Sequence, residues 1–367
     1  MTVDGQAVEL KEGMTVYDAV RQAGIGLPVL CHRDGLTPTG GCGICTVEEV
    51  TSGRLLPACA TRAEASMVIA TGSEAAVEFR RTALELLLSN HPADCDAPCQ
   101  LACPSGLPAQ ELMERILAGD WEGARVLARR YPFACASAAP CEKACRRKPL
   151  GGAVAVCALH RWLAEGEGTG PQEVRQEAGK NKGNLPRFRS RMRGLTEEAL
   201  LALCSEKGER LLASDATGVT PEAAVYEAAR CMRCGCRKPD DCRLRELCAA
   251  ADAKQSSFAG ETRPILRQRS RNGFRFDSSR CVLCGLCVRT AQKAGASLAP
   301  AFHGRGFEAQ IGPPHGRTWD DIPEAVLAMV AAVCPTGAMT AEAAPSNAGF
   351  ARNPMSNSQQ GNVQPKK

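Results

Sequence analysis

The chain has 367 residues, of which 21 are cysteine; aromatic side chains make up only 4% and the formal charge is +5. Cysteine at that level, gathered in tight groups, leaves three classes open: secreted disulfide scaffolds, zinc modules and iron–sulfur proteins. The first fits poorly, because the cysteine number is odd and the opening "MTVDGQAVELKEG" carries charge where a secretion signal would be apolar.

No apolar run approaches the roughly 18 residues of a membrane span. "AVLAMVAAVC" at 325–334 reads as a buried helix, and the expected location is the cytoplasm. Two basic segments, "RFRSRMR" at 187–193 and "RPILRQRSRNGFR" at 263–275, lack the aromatic interleaving of a nucleic-acid module, so no nucleic-acid partner is expected. They are either solvated faces or counter-charge for anionic thiolate clusters and docking sites for acidic carriers.

In chain order, "TVDGQAVEL" predicts a hairpin turning at Asp4-Gly5. "TVYDAVRQAG" predicts a helix with Thr15 as N-cap and Gly24 at its end. Residues 76–90 predict a second helix, leading into "NHPADCDAPCQLACPSG". From 107 to 163 the periodicity is helical, broken by a cysteine-rich loop. The polar, glycine-rich stretch from 166 reads as a linker to 194. Helices are expected at "TEEALLALCSEKG" and "PEAAVYEAARCMRC", and the end from 343 reads as disordered.

The cysteine spacing carries the chemistry. Cys31-x10-Cys42-x2-Cys45-x13-Cys59 lies in a glycine-rich loop, which lets backbone N–H groups approach sulfur and suits a 2Fe–2S cluster better than zinc. Next come His91, Cys95, Cys99 and Cys103 at a constant spacing, followed by Cys135, Cys141, Cys145 and Cys157. Cys231, Cys234, Cys236 and Cys242 sit close enough along the chain to hold a 4Fe–4S cluster or, as the competing reading, structural zinc. Finally Cys281-x2-Cys284-x2-Cys287, with Ala291 where a local fourth ligand would stand, points to Cys334-Pro335 as the remote ligand of one 4Fe–4S cluster. Cys204 and Cys248 lie in helical patterns and read as buried thiols.

Two resemblances follow from these residues. The Cys31–Cys59 loop, the His-x3-Cys start, "GRGFEAQIG" and "CPTGA" resemble the large iron–sulfur subunit of respiratory complex I and iron-only hydrogenases. "APCQLACPSGLP", "ELMERILAGDWEGA" and "PCEKACRR…VAVCALHRWL" resemble the N-terminal domain of the glutamate synthase small subunit and dihydropyrimidine dehydrogenase. That second resemblance implies a helical domain with two 4Fe–4S clusters. One would use His91 with Cys95, Cys99 and Cys145; the other would use Cys103, Cys135 and Cys141 with Cys157 or His160. His91 stands where that family has cysteine; it is either a ligand or merely a cap on the preceding helix. The flavin domain of the larger relatives is missing, since the short stretch after 163 takes its place and neither a G-x-G-x-x-G after a strand nor a P-loop occurs.

The expectation is an α+β multidomain chain. It comprises a β-grasp 2Fe–2S ferredoxin domain (1–75), an α-helical double 4Fe–4S domain (76–165), a linker (166–194), a helical segment with a cysteine-rich site (195–262) and a ferredoxin-like 4Fe–4S domain (263–342). One 2Fe–2S and about four 4Fe–4S clusters would make it a relay for single electrons. Expected partners are a flavin-bearing NAD(P)H-oxidising subunit, a hydrogenase or formate dehydrogenase subunit, or ferredoxin. The alternatives are a flavin enzyme in its own right and a zinc-stapled interaction scaffold; no side chain stands out as an acid, base or nucleophile.

Overall fold

The Asp4-Gly5 pair takes left-handed backbone, with φ of 45° and 81°, and reverses the chain between strands β1 (Thr2–Val3) and β2 (Gln6–Ala7). The structure, a computed structural model, describes residues 1–133, 135, 138–165, 188–192, 195–204, 208–238, 240–260 and 263–341. Most of the expected linker and the whole of the expected disordered end fall outside the described residues.

Helix α1 (Val16–Gln22) starts where the sequence places it: Asp18 N–H donates to the Thr15 hydroxyl and the Asp18 carboxylate accepts from Thr15 N–H, closing a capping box. Gly24, at φ 76°, ends it. Val16, Ala19 and Val20 are fully buried against a five-stranded sheet ordered β2-β1-β5-β3-β4. Its other strands are β3 (Thr46–Glu49), β4 (Arg54–Pro57) and β5 (Val68–Ala70), and β1 pairs with β5 in parallel while the remaining pairs are antiparallel. The long helix α2 (Glu74–Ser89) is tied to this sheet by Arg80, whose guanidinium donates to the carbonyls of Thr46 and Thr71 at 2.8 and 2.9 Å.

The middle of the chain is helical: α3 (Pro98–Ala102), α4 (Ala109–Ala118), α5 (Trp121–Arg130), α6 (Pro140–Lys143) and α7 (Val156–Glu165). Leu112, Met113 and Ile116 recur at helical spacing on α4 and are fully buried. After α8 (Glu197–Ala202), which ends short of Cys204, helix α9 (Pro221–Ala229) returns to pack on α4 and joins the same core. The next helix, α10 (Arg243–Ala250), packs instead on α2, where Leu84 and Leu88 meet Leu244, Leu247 and Cys248. The regions expected in series are therefore knitted together by later segments reaching back.

The last part holds a three-stranded antiparallel sheet ordered β10-β7-β6, from β6 (Arg267–Arg269), β7 (Phe274–Asp277) and β10 (Met339–Ala341). Helices α11 (Leu286–Lys293) and α12 (Glu324–Val333) pack together over it, and β8 (Ala301–His303) pairs with β9 (Gln310–Gly312). Helix α12 is the buried helix expected at 325–334. Trp319 stacks on Phe274 and Phe276 at 4.9 and 5.4 Å, concentrating much of the chain's sparse aromatic content in one core.

Candidate metal centres

In the N-terminal domain Cys31, Cys45 and Cys59 are buried, and Cys42 half-buried, in the loop that joins α1 to β3 and in the turn after β4. Their thiols pair, Cys31 with Cys42 and Cys45 with Cys59. The Cys42 contact draws Cys31 down to about 5 and the Cys45 contact draws Cys59 to about 7, while Cys42 and Cys45 are pushed up. Four buried sulfurs that share protons in this way become thiolates together only when positive charge enters among them. Backbone N–H groups already point at sulfur, from Gly40 to Cys59, from Cys42 to Cys31 and from Ile44 to Cys42. Gly40 permits that approach: its φ is 64°, and a Cβ there would lie 3.1 Å from the Ala60 methyl.

At the other end of the chain, Cys281, Cys284 and Cys287 wrap the start of α11 and face Cys334, which ends α12. Burial pushes Cys281 up to about 11 and Cys284 to about 12, with neighbouring thiols adding to the effect. Leu283 adopts φ 52°, a left-handed conformation that costs a non-glycine residue of order 1–3 kcal/mol. It turns the loop so that its own N–H points at the Cys281 sulfur.

Cys157 on α7 lies 3.6 Å from Cys141 and 3.7 Å from Cys135, sulfur to sulfur, and Cys103 lies near Cys135. The alternative ligand, His160, is turned elsewhere: its Nε2 lies 3.0 Å from the Ala128 carbonyl and 2.8 Å from that of Tyr131. His160 Nε2 is thus engaged by backbone carbonyls, and Cys157 faces Cys135 and Cys141.

His91 is buried and capped by a hydrogen bond to the Arg280 backbone, while its Nδ1 has no partner. Burial and the nearby Arg280 guanidinium hold the imidazole neutral, down to about 4. It opens on a small pocket of about 10 Å³ whose wall also includes Cys95, Cys236 and Cys242. Cys99, Cys145, Cys231 and Cys234 lie among the helices; burial raises Cys99, Cys231 and Cys234, and each feels the others or Cys145. Cys236 and Cys242 line the His91 pocket, whereas Cys231 packs against the core of the helices. Among the described residues no three His, Cys, Asp or Glu side chains close on a single ion, as a mononuclear zinc site requires.

Sequence reasoning did not anticipate the buried arginines. Arg280 donates to the carbonyls of Cys234 and Gly235 at 2.9 and 2.8 Å, Arg245 reaches Asp96 at 2.8 Å, and Arg263 bridges the carbonyls of Asn90 and Cys281. The segment 263–275 is thus only partly a solvated face: Arg263 and Arg267 point inward, whereas Arg271 is exposed. Soft thiolates and a neutral imidazole in buried pockets, with guanidinium charge around them, suit iron–sulfur clusters.

Comparison with known proteins supports this chemistry. Residues 1–74 match the family model described as a 2Fe-2S iron-sulfur cluster binding domain. This part of the chain is a 2Fe–2S ferredoxin-type domain. Over 95 residues the chain is 41% identical to an NADH-quinone oxidoreductase subunit of the G type from Rhizobium meliloti, the match covering 26% of this chain and 11% of the relative. It is 39% identical over 100 residues to the NADP-reducing hydrogenase subunit HndD of Solidesulfovibrio fructosivorans, covering 26% of this chain and 17% of that one. To the NADPH-Fe(3+) oxidoreductase alpha subunit of Geobacter sulfurreducens it is 36% identical over 95 residues, with 26% and 11% covered. The match thus spans only 11% to 17% of the length of these relatives. A solved structure of an NAD+-reducing [NiFe]-hydrogenase in the H2-reduced state shares the fold over 93% of this chain and 86% of that one, with a TM-score of 0.50 and 18% identity. No helix among the described residues is long and apolar enough to cross a membrane.

Proposed function

We propose that the chain is the multi-cluster electron-transfer subunit of a cytoplasmic, flavin- and NAD(P)H-linked oxidoreductase complex, holding one 2Fe–2S and about four 4Fe–4S clusters. Such clusters supply one-electron storage and exchange at each site. What supports the reading is continuity: neighbouring ligand groups are joined through single residues. Arg289 donates to the carbonyls of Cys31 and Cys284 at 2.6 and 3.2 Å, tying the 2Fe–2S loop to the C-terminal group. Arg263 ties the C-terminal group to the His91 segment through Cys281 and Asn90. Arg280 then holds Cys234 and Gly235 beside the His91 cavity, and Cys99 and Cys103 share the short helix α3 and its end. The path runs from the N-terminal domain through the C-terminal one and back into the helices, ending at Cys103, Cys135, Cys141 and Cys157.

The helices that carry the last groups form, in this reading, a double-cluster domain of the glutamate synthase type without its flavin domain. The sequence offers no Gly-rich dinucleotide or flavin motif, so hydride chemistry falls to a partner. A flavin-bearing NAD(P)H-oxidising subunit fits one end, and a hydrogenase or formate dehydrogenase subunit, or ferredoxin, the other. Anaerobic titration tests this: dithionite bleaches the protein, NAD(P)H alone leaves it oxidised, and NAD(P)H bleaches it once a flavin-bearing NADH-oxidising subunit is added. Reduction by NAD(P)H alone, with flavin retained through purification, would overturn the reading in favour of a self-contained flavoenzyme.

A further inference from the structure

We propose that the segment Cys231–Cys242 is a strap shared by two cluster sites: Cys231 and Cys234 complete a four-thiol site with Cys99 and Cys145, and Cys236 and Cys242 complete a separate site with His91 and Cys95. This partition rests on the iron–sulfur reading above. Spacing alone groups Cys231 to Cys242 as one local site; the fold divides them.

The geometry divides them at Gly235. A Cβ at that position would stand 3.0 Å from the backbone nitrogen and 3.2 Å from the methyl of Ala97, so the strap runs in contact with the chain between Cys95 and Cys99. On one side of this crossing, Cys236 N–H donates to the Cys95 carbonyl at 3.0 Å, and Cys95, Cys236, Cys242 and His91 wall one cavity. Into it faces His91, whose Nδ1 is buried and unpartnered; a bound metal would accept that lone pair. On the other side, Cys231 packs against the helical core beside Cys99 and Cys145, where α3 meets α6.

The loop shape of the first half also identifies it as a ligand pair. Arg233, at φ 50°, occupies in Cys231-x2-Cys234 the position that Leu283, at φ 52°, occupies in Cys281-x2-Cys284. In each loop that residue's N–H points at the sulfur of the first cysteine. Two unrelated stretches of sequence thus make the same left-handed turn around sulfur, and neither uses glycine to do it. Arg280 pins the crossing from outside by donating to the carbonyls on both sides of the Cys234–Gly235 peptide.

The partition assigns two sites with different ligand charge. One has four thiolates. The other has three thiolates and a neutral imidazole, and should hold the higher potential.

The test uses the full chain, loaded with iron and sulfide under anaerobic conditions, and compares single variants by iron content and by EPR of the reduced protein. C99S and C231S should remove or reshape one signal; C95S and C236S should remove or reshape another. If C231S and C236S instead lose the same signal while C95S and C99S lose a different one, the local grouping holds and the partition fails. Should a serine variant fail to fold, H91C provides a second reading. It should retain the parent's iron and lower the potential of the signal sensitive to C236S, leaving that sensitive to C231S unmoved. A shift in the C231S-sensitive signal would contradict the partition. A parent protein holding zinc or no iron would overturn the iron–sulfur reading itself, an outcome distinct from every variant pattern above.

Discussion

The residue before the strap offers a demanding test of how the helical region is held. Arg230 and Glu227 on α9 form an ion pair at 2.9 Å with side chains 1% and 0% exposed. The same guanidinium donates to the carbonyls of Gly151, Gly152, Ala153 and Gly208, at 2.5, 2.8, 3.4 and 3.2 Å. Glu227 in turn accepts from the N–H groups of Ala155, Leu211 and Leu212. The pair therefore clamps two separate stretches of loop, 151–155 and 208–212, onto α9, the first of which leads into Cys157. Arg230→Met removes the charge and all the donors, stranding a buried carboxylate; breaking such a pair costs about 3–5 kcal/mol. At about 2–4 °C per kcal/mol for a domain of this order of size, the melting temperature should fall by about 6–20 °C. Arg230→Lys keeps the charge but loses the planar fork, so it should fall between Met and the parent. The assay is thermal melting of the cluster-loaded protein by far-UV circular dichroism, with iron measured beside it because Cys231 is the next residue. Melting curves for both variants that coincide with the parent's would refute the clamp.

Three further outcomes follow from the geometry. Leu112→Ala, at a fully buried position on α4, should cost about 2–5 kcal/mol in denaturant unfolding and leave the iron content of the folded protein unchanged. His160→Phe should destabilise the protein by about 1–3 kcal/mol through the abandoned carbonyls of Ala128 and Tyr131, yet keep the parent's iron. Cys157→Ser should lose a cluster, and equal iron loss in the two variants would contradict the placement of His160. Cys204 packs against the same small core as Cys234 and faces the Arg147 guanidinium, yet belongs to none of the assigned ligand sets, so Cys204→Ser should leave iron and sulfide at the parent's level.

What was legible in the sequence was local. The Asp4-Gly5 hairpin, the Thr15 N-cap, the apolar face of α4 and the buried run of α12 all announce themselves within about one or two helical turns. Cys31 to Cys59 and Cys281 to Cys334 could be grouped because a loop and a remote Cys-Pro suffice to build them. The proposed division of the strap could not come from spacing: its proposed partners lie far upstream, and the contact between Gly235 and Ala97 is one that no period encodes. Strands β6, β7 and β10 were missed because they are short and lean, with faces completed by distant elements. Arg230, Arg245 and Arg280 were missed for another reason: arginine is expected at the surface, and only the assembled carbonyls and carboxylates explain its burial here.

The most direct measurement is iron and acid-labile sulfide per chain on anaerobically prepared protein. One 2Fe–2S and four 4Fe–4S clusters predict about 18 iron atoms and a matching amount of sulfide. Near-zero iron, or zinc without labile sulfide, in protein reconstituted with both would contradict the account at its centre.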